Sequence, residues 1–198
     1  MFFGSPDATL ASVVVFWVVL FGWIGTELWL GSRRSRLPAG ATDHDAGSKW
    51  FLIGCVWASI AIGIWTALLL PDAAIRSYRT EVFILGLVLM VAGMALRWYP
   101  IRVLGASFTC EVSTRPGQVV VESGPYRWVR HPSYTGGLLT VLGVLVCCVN
   151  WASLAALIVT AAGYAYRIKV EEEALAAHLG TPYREYMRRT KRLIPFVV

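Results

Sequence analysis

YTGGLLTVLGVLVCCVNWASLAALIVTAAGYAY, residues 134–166, contains no charged side chain. It divides at Asn150 into two apolar arms, Tyr134 to Val149 and Trp151 to Tyr166. Each arm is about 16 residues, or roughly 24 Å of helix at about 1.5 Å per residue. That is short for a bilayer span, which takes roughly 20 residues. A single residue between the arms leaves room only for a tight helical hairpin. Tyr134 and Tyr166 then return to the same side, and the polar residues before the hairpin must lie near those after it. So short a hairpin either stops short of a full crossing or thins the bilayer around it.

Three more apolar runs lie upstream: Ala8 to Leu30, Trp50 to Leu70, and Val82 to Leu96 with its flanks. The 198-residue chain is 57% hydrophobic and only 15% charged, with a mean hydropathy of +0.59. A soluble domain would be about half apolar and about a quarter charged. The excess points to the bilayer as solvent. The first run has no basic stretch before it and no small-residue cleavage site after it, so it reads as a retained helix, not a signal peptide. The expected fold is an all-α integral membrane protein, one domain over residues 1–198. About five transmembrane helices are expected. Three lie in residues 1–96, the third ending near Arg97 to Pro100. Residues 97–198 hold a connecting loop, the hairpin and C-terminal helices.

The net charge is +6. If five segments alternate sides, Arg76 and Arg79 are the only two of the 18 basic residues on one side. The positive-inside rule then puts the N-terminus outside, and the C-terminus and the basic loops in the cytoplasm, at the cytoplasmic membrane. Anionic lipid headgroups account for such a face without nucleic acid. Of Cys55, Cys110, Cys147 and Cys148, three sit in apolar runs and none forms a Cys-x-x-Cys pair, which points to packing residues rather than a metal or disulfide framework.

Between the third run and the hairpin lie residues 101–133. GASFTCEV and QVVVESG flank the turn signal Arg115-Pro116-Gly117, so an extended loop with a short hairpin of strands is expected there. The loop ends in GPYRWVRHPSY, residues 124–134. Pro125 and Pro132 stop helix there, and His131 precedes a proline, which biases it to extended backbone. Ser133 is a candidate cap for the next helix. Tyr126, Trp128 and Tyr134 could wall in a flat heterocycle or simply sit at headgroup level.

The hairpin is followed by RIKVEEEALAAHLG, residues 167–180. On a helix Arg167 and Glu171 share a face, either as a plain ion pair or as a site at the hairpin mouth. Leu175 continues that face, while Glu172 and Glu173 point elsewhere, toward solvent. Arg167 suits a carboxylate held by its fork, and Glu171 suits an amine or a sulfonium. TPYREYMRRTKRLIPF, residues 181–196, reads as a helix lying on the membrane surface.

GPYRWVRHPSYTGGLL together with RIKVEEEALAAHLGTPYREYMRRTKRLIPF resembles the isoprenylcysteine carboxyl methyltransferase family. The shared pattern is Gly124-x-Tyr126, Arg130-His131-Pro132-x-Tyr134, Arg167-x-x-x-Glu171-Glu172, Gly180-x-x-Tyr183-x-x-Tyr186 and a closing Pro195. The likeness covers residues 97–198; the first two helices match only in being apolar. Phospholipid methyltransferases share much of the signature, so it fixes a superfamily better than a substrate. The resemblance implies S-adenosylmethionine as methyl donor, becoming S-adenosylhomocysteine, in a cytoplasmic non-Rossmann pocket built by the C-terminal half. Carried over by position, the donor touches Glu111, Gln118, Val119, Val120, Val121, Tyr126, His131, Pro132, Ser133, Tyr134 and Glu171. The family commonly has Gln where this chain has Glu111. Arg167 faces the methyl acceptor, so Arg167 and Glu171 are the implied catalytic pair.

The implied acceptor is lipophilic, a prenylated or other lipid-like carboxylate taken from the membrane. Such a carboxylate is already ionised at neutral pH and needs no general base. A phospholipid amine would need one, with Glu171 or His131 as candidates. Membrane sterol reductases have similar C-terminal helices and use a nicotinamide cofactor, which leaves a third reading.

Overall fold

The structure, a computed structural model, describes residues 9–34, 40–105 and 108–195, the side chains of Arg33 and Arg34 excepted. The N-terminal tail expected outside lies beyond the described residues. Helices run over Leu10–Arg34 (α1), Ser48–Leu69 (α2), Arg79–Leu104 (α3), Pro132–Cys147 (α4), Leu157–Leu179 (α5) and Thr181–Arg189 (α6).

The first three helices are each long and apolar enough to cross a membrane, and only 22% of each apolar window is buried inside the protein. Trp17, Trp57, Trp65 and Val88 stand outward. Surfaces of that kind are stable only against lipid, because their backbone groups are satisfied within the helix and their side chains are apolar. Helix α3 does not stop at Pro100 as expected but continues to Leu104, with Pro100 inside it. Proline removes one donor and disturbs one turn, and a helix held by its neighbours can carry that.

The hairpin forms as the sequence reading requires, and Asn150 shows how. Its Nδ2 donates to the Leu70 carbonyl at 3.0 Å, and its Oδ1 accepts the Ala152 N–H at 2.9 Å. Ile75 N–H donates to the Val149 carbonyl at 3.0 Å and Trp151 N–H to the Ala73 carbonyl at 3.0 Å. The hairpin tip is thus pinned to the α2–α3 connection and reaches the level where α2 ends and α3 begins. A short 3₁₀ turn, Ala152–Ala156, leads into α5.

Helix α4 differs from the first three in being buried along most of its length. Small residues let it do so. Gly136 and Gly143 face Gly93 and Gly86 of α3; a Cβ on Gly93 would lie 2.5 Å from the Thr140 N, and one on Gly143 2.5 Å from the Met90 N. Lipid gives no hydrophobic drive between helices, so close backbone packing of this kind holds them together. Helix α2 meets the second arm through Ser59 Oγ donating to the Ala156 carbonyl and Ser153 Oγ donating to the Gly63 carbonyl, both at 2.7 Å.

Outside the bundle, Thr42–Asp43 (β1) pairs antiparallel with Ser113–Thr114 (β2). The expected hairpin of strands about Arg115 to Gly117 is therefore replaced. The turn is present, closed by Gln118 N–H to the Arg115 carbonyl at 3.1 Å. The strand before it takes its partner from the α1–α2 connection.

Candidate active site

A cavity opens where the C-terminal end of α3, the 108–121 segment, the start of α4, the second half of α5, and α6 converge. It encloses about 950 Å³, open solvent at its mouth included. Eleven positions were expected to touch a donor. Glu111, Gln118, Val119, Val120, Val121, Tyr126, His131, Ser133, Tyr134 and Glu171 line the cavity, and so does Arg167. Pro132 does not line it; it is the first residue of α4 and fully buried.

Helix α5 supplies one wall. Arg167, Glu171, Leu175 and Leu179, spaced by four, all face inward, as residues on one helical face must. Glu171 Oε2 accepts the Tyr134 hydroxyl at 2.6 Å and lies 3.6 Å from His131 Nδ1. Both contacts fall on Oε2; Oε1 accepts no hydrogen bond among the described residues. The His131 and Tyr134 rings stack, 5.3 Å apart and within 4° of parallel. Also in the wall, Glu111 Oε1 accepts Lys49 Nζ at 2.7 Å, while the buried Glu111 Oε2 has no hydrogen-bond partner among the described residues. A buried carboxylate oxygen without a donor is costly. The cavity wall thus carries two carboxylates, Glu111 and Glu171, groups whose chemistry suits a cation or hydroxyl and amine donors. The Gln118 side chain is spent on its own turn, accepting the Arg115 N–H at 3.1 Å. Tyr126, Tyr183 and Tyr186 supply aromatic wall. Burial first, then the Glu171 charge, push the Tyr126 phenol up, so it stays neutral.

Ser133 does not cap α4: the cap position is His131, and no side chain bonds there. Proline at the first helical position leaves one fewer donor to cap. Ser133 Oγ instead accepts Arg97 Nη1 at 3.3 Å. Arg97 in turn forks onto Glu27 of α1, Nε to Oε1 at 2.5 Å and Nη2 to Oε2 at 2.8 Å.

Glu172 is not on a solvated face. It is buried, and its two oxygens accept Arg130 Nε at 2.8 Å, Arg192 Nη2 at 2.8 Å and Nε at 3.0 Å, with His131 Nε2 at 3.3 Å. Burial by itself would raise its pKa; the hydrogen bonds from His131, Arg192 and Arg130 outweigh that and hold it at about 2. Arg130 also donates to the carbonyls of Met187 and Thr190. The chain after α6 is accordingly extended rather than helical. Arg130 N–H donates to the Lys191 carbonyl at 2.8 Å, and His131 N–H to the Arg192 carbonyl at 2.9 Å. The α6 segment is not simply laid on a surface either. Tyr183 and Tyr186 are buried, and the Tyr186 hydroxyl donates to the Tyr126 carbonyl at 2.6 Å.

Arg167 is buried and already engaged. Nη1 donates to Asp45 Oδ1 and to Ser48 Oγ (2.6 Å), Nη2 to the Cys110 carbonyl (2.6 Å), and Nε to the Tyr134 hydroxyl (3.3 Å). Asp45, between β1 and α2, escaped the sequence reading. The one signal it offered was an acidic residue just before an apolar helix, and its carboxylate does accept the Lys49 N–H in the first turn of α2 at 3.1 Å. Burial opposes its ionisation; the Lys49 N–H, the Arg167 guanidinium and the Val112 N–H overcome this and hold its carboxyl below the usual range.

A family model described as the isoprenylcysteine carboxyl methyltransferase (ICMT) family matches residues 84–177. The protein-S-isoprenylcysteine O-methyltransferase of Saccharomyces cerevisiae is 33% identical over 135 residues, covering 65% of this chain and 56% of that protein. The chain thus spans little more than half the length of that relative. The probable protein-S-isoprenylcysteine O-methyltransferase of Oryza sativa subsp. indica is 30% identical over 153 residues, covering 76% of this chain and 78% of that protein. A solved eukaryotic intramembrane Ras methyltransferase, ICMT, shares the fold at a TM-score of 0.56 and 24% identity, over 77% of this chain and 53% of that one. On these matches, and on a membrane bundle whose cavity gathers the shared motifs, the chain belongs to the isoprenylcysteine carboxyl methyltransferase family.

Proposed function

We propose that this chain is an S-adenosylmethionine-dependent methyltransferase that esterifies a lipophilic carboxylate, an isoprenylcysteine or a similar lipid-like acid. The observation that carries the reading is the pair of carboxylates in the cavity wall: among the described residues Glu171 has one oxygen uncommitted and Glu111 Oε2 has no donor. A ligand bearing an ammonium group, a sulfonium and ribose hydroxyls matches that donor set. Glu171 would take the positive end. Tyr126 and the Val119–Val121 backbone would flank the flat ring.

When bound, the sulfonium supplies the methyl group: the acceptor oxygen forms the new C–O bond as the C–S bond breaks, the electron pair stays on sulfur, and no proton moves. The chain's work is positioning. Arg167 would orient the acceptor carboxylate at the inner end, with the Tyr134 hydroxyl fixed beside it. Glu171 would hold the donor one helical turn away on the same face of α5. The acceptor would enter from the bilayer and the donor from the cytoplasm. In this orientation the site end of the bundle is cytoplasmic, the hairpin tip lies on the outer side, and both hairpin arms cross.

The test is calorimetric titration of the detergent-purified chain with S-adenosylmethionine and, separately, with NADPH, repeated on Glu171→Ala. Saturable binding of the sulfonium alone, lost in the variant, supports the reading. Preferential NADPH binding would replace it with a reductase. Methyl transfer from labelled donor to N-acetyl-S-farnesylcysteine, and not to phosphatidylethanolamine, would then fix the acceptor class.

A further inference from the structure

The guanidinium assigned to the acceptor is already paired with a carboxylate of the chain itself. Arg167 lines the cavity, whereas Asp45 does not. Asp45 is therefore paired with a residue of the cavity wall without being part of that wall. It is firmly held there: Oδ2 accepts the Lys49 N–H at 3.1 Å, and Oδ1 accepts the Val112 N–H and Ser48 Oγ, both at 3.3 Å. Both partners of the ion pair are buried, at 7% exposure for Asp45 and 4% for Arg167. A guanidinium has five N–H groups. Four are taken by Asp45, Ser48, the Cys110 carbonyl and the Tyr134 hydroxyl. Among the described residues, one Nη2 N–H remains without a partner.

We infer that Asp45 is a positioning residue that neutralises Arg167, so that the acceptor carboxylate is oriented by a directed N–H without being held by an uncompensated cation. The inference rests on the proposed carboxylate acceptor. The chemistry favours such an arrangement. The acceptor oxygen carries full negative charge in the ground state and loses it as the C–O bond forms. An unshielded cation would bind the ground state better than the transition state, lowering KM and kcat together. Paired with Asp45, Arg167 keeps its geometry while its field at the acceptor is weakened. The pair also joins the α1–α2 connection to the 108–121 segment and α5, which fixes the guanidinium plane.

The experiment compares wild type, Asp45→Asn and Ser48→Ala in turnover of N-acetyl-S-farnesylcysteine. Equilibrium binding of that acid and of its carboxamide is measured alongside, with S-adenosylhomocysteine present. Asparagine has the same shape and keeps one oxygen, at the position that meets Arg167, Ser48 and the Val112 N–H; it removes the charge and the acceptor for the Lys49 N–H. Asp45→Asn is expected to bind the acid about tenfold more tightly and turn it over about tenfold more slowly, the size of effect common for directly coupled neighbours. Its carboxamide binding stays within about twofold of wild type by the same measure. Ser48→Ala, which removes a neutral partner of the same fork, does not tighten the acid. Weaker acid binding with slower turnover in Asp45→Asn, or loss of S-adenosylhomocysteine binding, would show a merely structural role and overturn the inference. So would unchanged kcat and KM. A wild type that binds S-adenosylhomocysteine but neither binds nor methylates the acid overturns the acceptor reading itself, and the inference with it.

Discussion

Two neighbouring glutamates on α5 end in different surroundings. Glu171 faces the cavity with its side chain 28% exposed, whereas Glu172 is 5% exposed and surrounded by Arg130, His131 and Arg192. Successive helical residues differ by about 100°, so one looks into the cavity and the other into the seam between the 124–131 segment and the chain after α6. The seam is ionically closed; the cavity wall is ionically incomplete. Evolution of a binding site and of a fold lock from adjacent letters needs no more than that rotation. The seam satisfies its charges within the chain, whereas the cavity wall holds carboxylate oxygens without partners among the described residues.

The largest effect should come from breaking the closed side. Glu172→Gln leaves buried Arg130 without an anion, which costs about 3 to 5 kcal/mol when a buried pair loses one partner. We expect a large drop in the detergent melting temperature and early proteolysis between α6 and Pro195. Because Tyr183 and Tyr186 wall the cavity, donor binding should fall as well. Unchanged melting would mean that Arg130, His131 and Arg192 do not depend on this carboxylate.

The open side should separate binding from stability. Glu171→Gln removes a charge from the cavity but keeps an acceptor for the Tyr134 hydroxyl. Donor affinity should fall by about 1.5 to 3 kcal/mol, the range for hydrogen bonds to charged groups, with little change in melting. Titration calorimetry read beside thermal melting checks both halves. Equal losses of stability in Glu171→Gln and Glu172→Gln would erase the contrast.

The closed side also has a pH signature. Glu172 has an ordinary value of 4.5 and is held at about 2 in the folded chain. A depressed folded value contributes stability above 4.5, and that contribution is lost as pH falls toward 2. Melting followed from pH 6 to 3 should therefore show a decline below about pH 4.5 that is absent in Glu172→Gln. A decline of the same size in the variant would assign it to other carboxylates.

The smallest effect belongs to Glu111. Glu111→Gln gives up the 2.7 Å ion pair with Lys49 and keeps a polar group at the cavity. The pair is partly exposed, so its loss should cost within about 1 kcal/mol in stability. Donor affinity should change by only about two- to fivefold, since Gln can still accept one hydrogen bond. A hundredfold loss would make Glu111, not Glu171, the principal carboxylate.

What could be read from the letters was whatever a local pattern determines. Uncharged runs of helical length dictate membrane helices, because lipid cannot hydrate a backbone. Asn150 between two short arms dictates a hairpin, which brings GPYRWVRHPSY and RIKVEEEALAAHLG to one end of the bundle. The i, i+4 spacing puts Arg167, Glu171 and Leu175 on one face. What only the tertiary structure decided were pairings between distant segments. Asp45 reaches Arg167 across 122 positions, and Arg130 reaches Glu172 across 42. Ser113 and Thr114 take their strand partner from residues 42 and 43 rather than from their own turn. No periodicity encodes these choices. A charge in a loop looks the same in sequence whether it ends in water or buried against another. Its partner is set by which segments the packed helices bring together, and by the high cost of burying either charge alone.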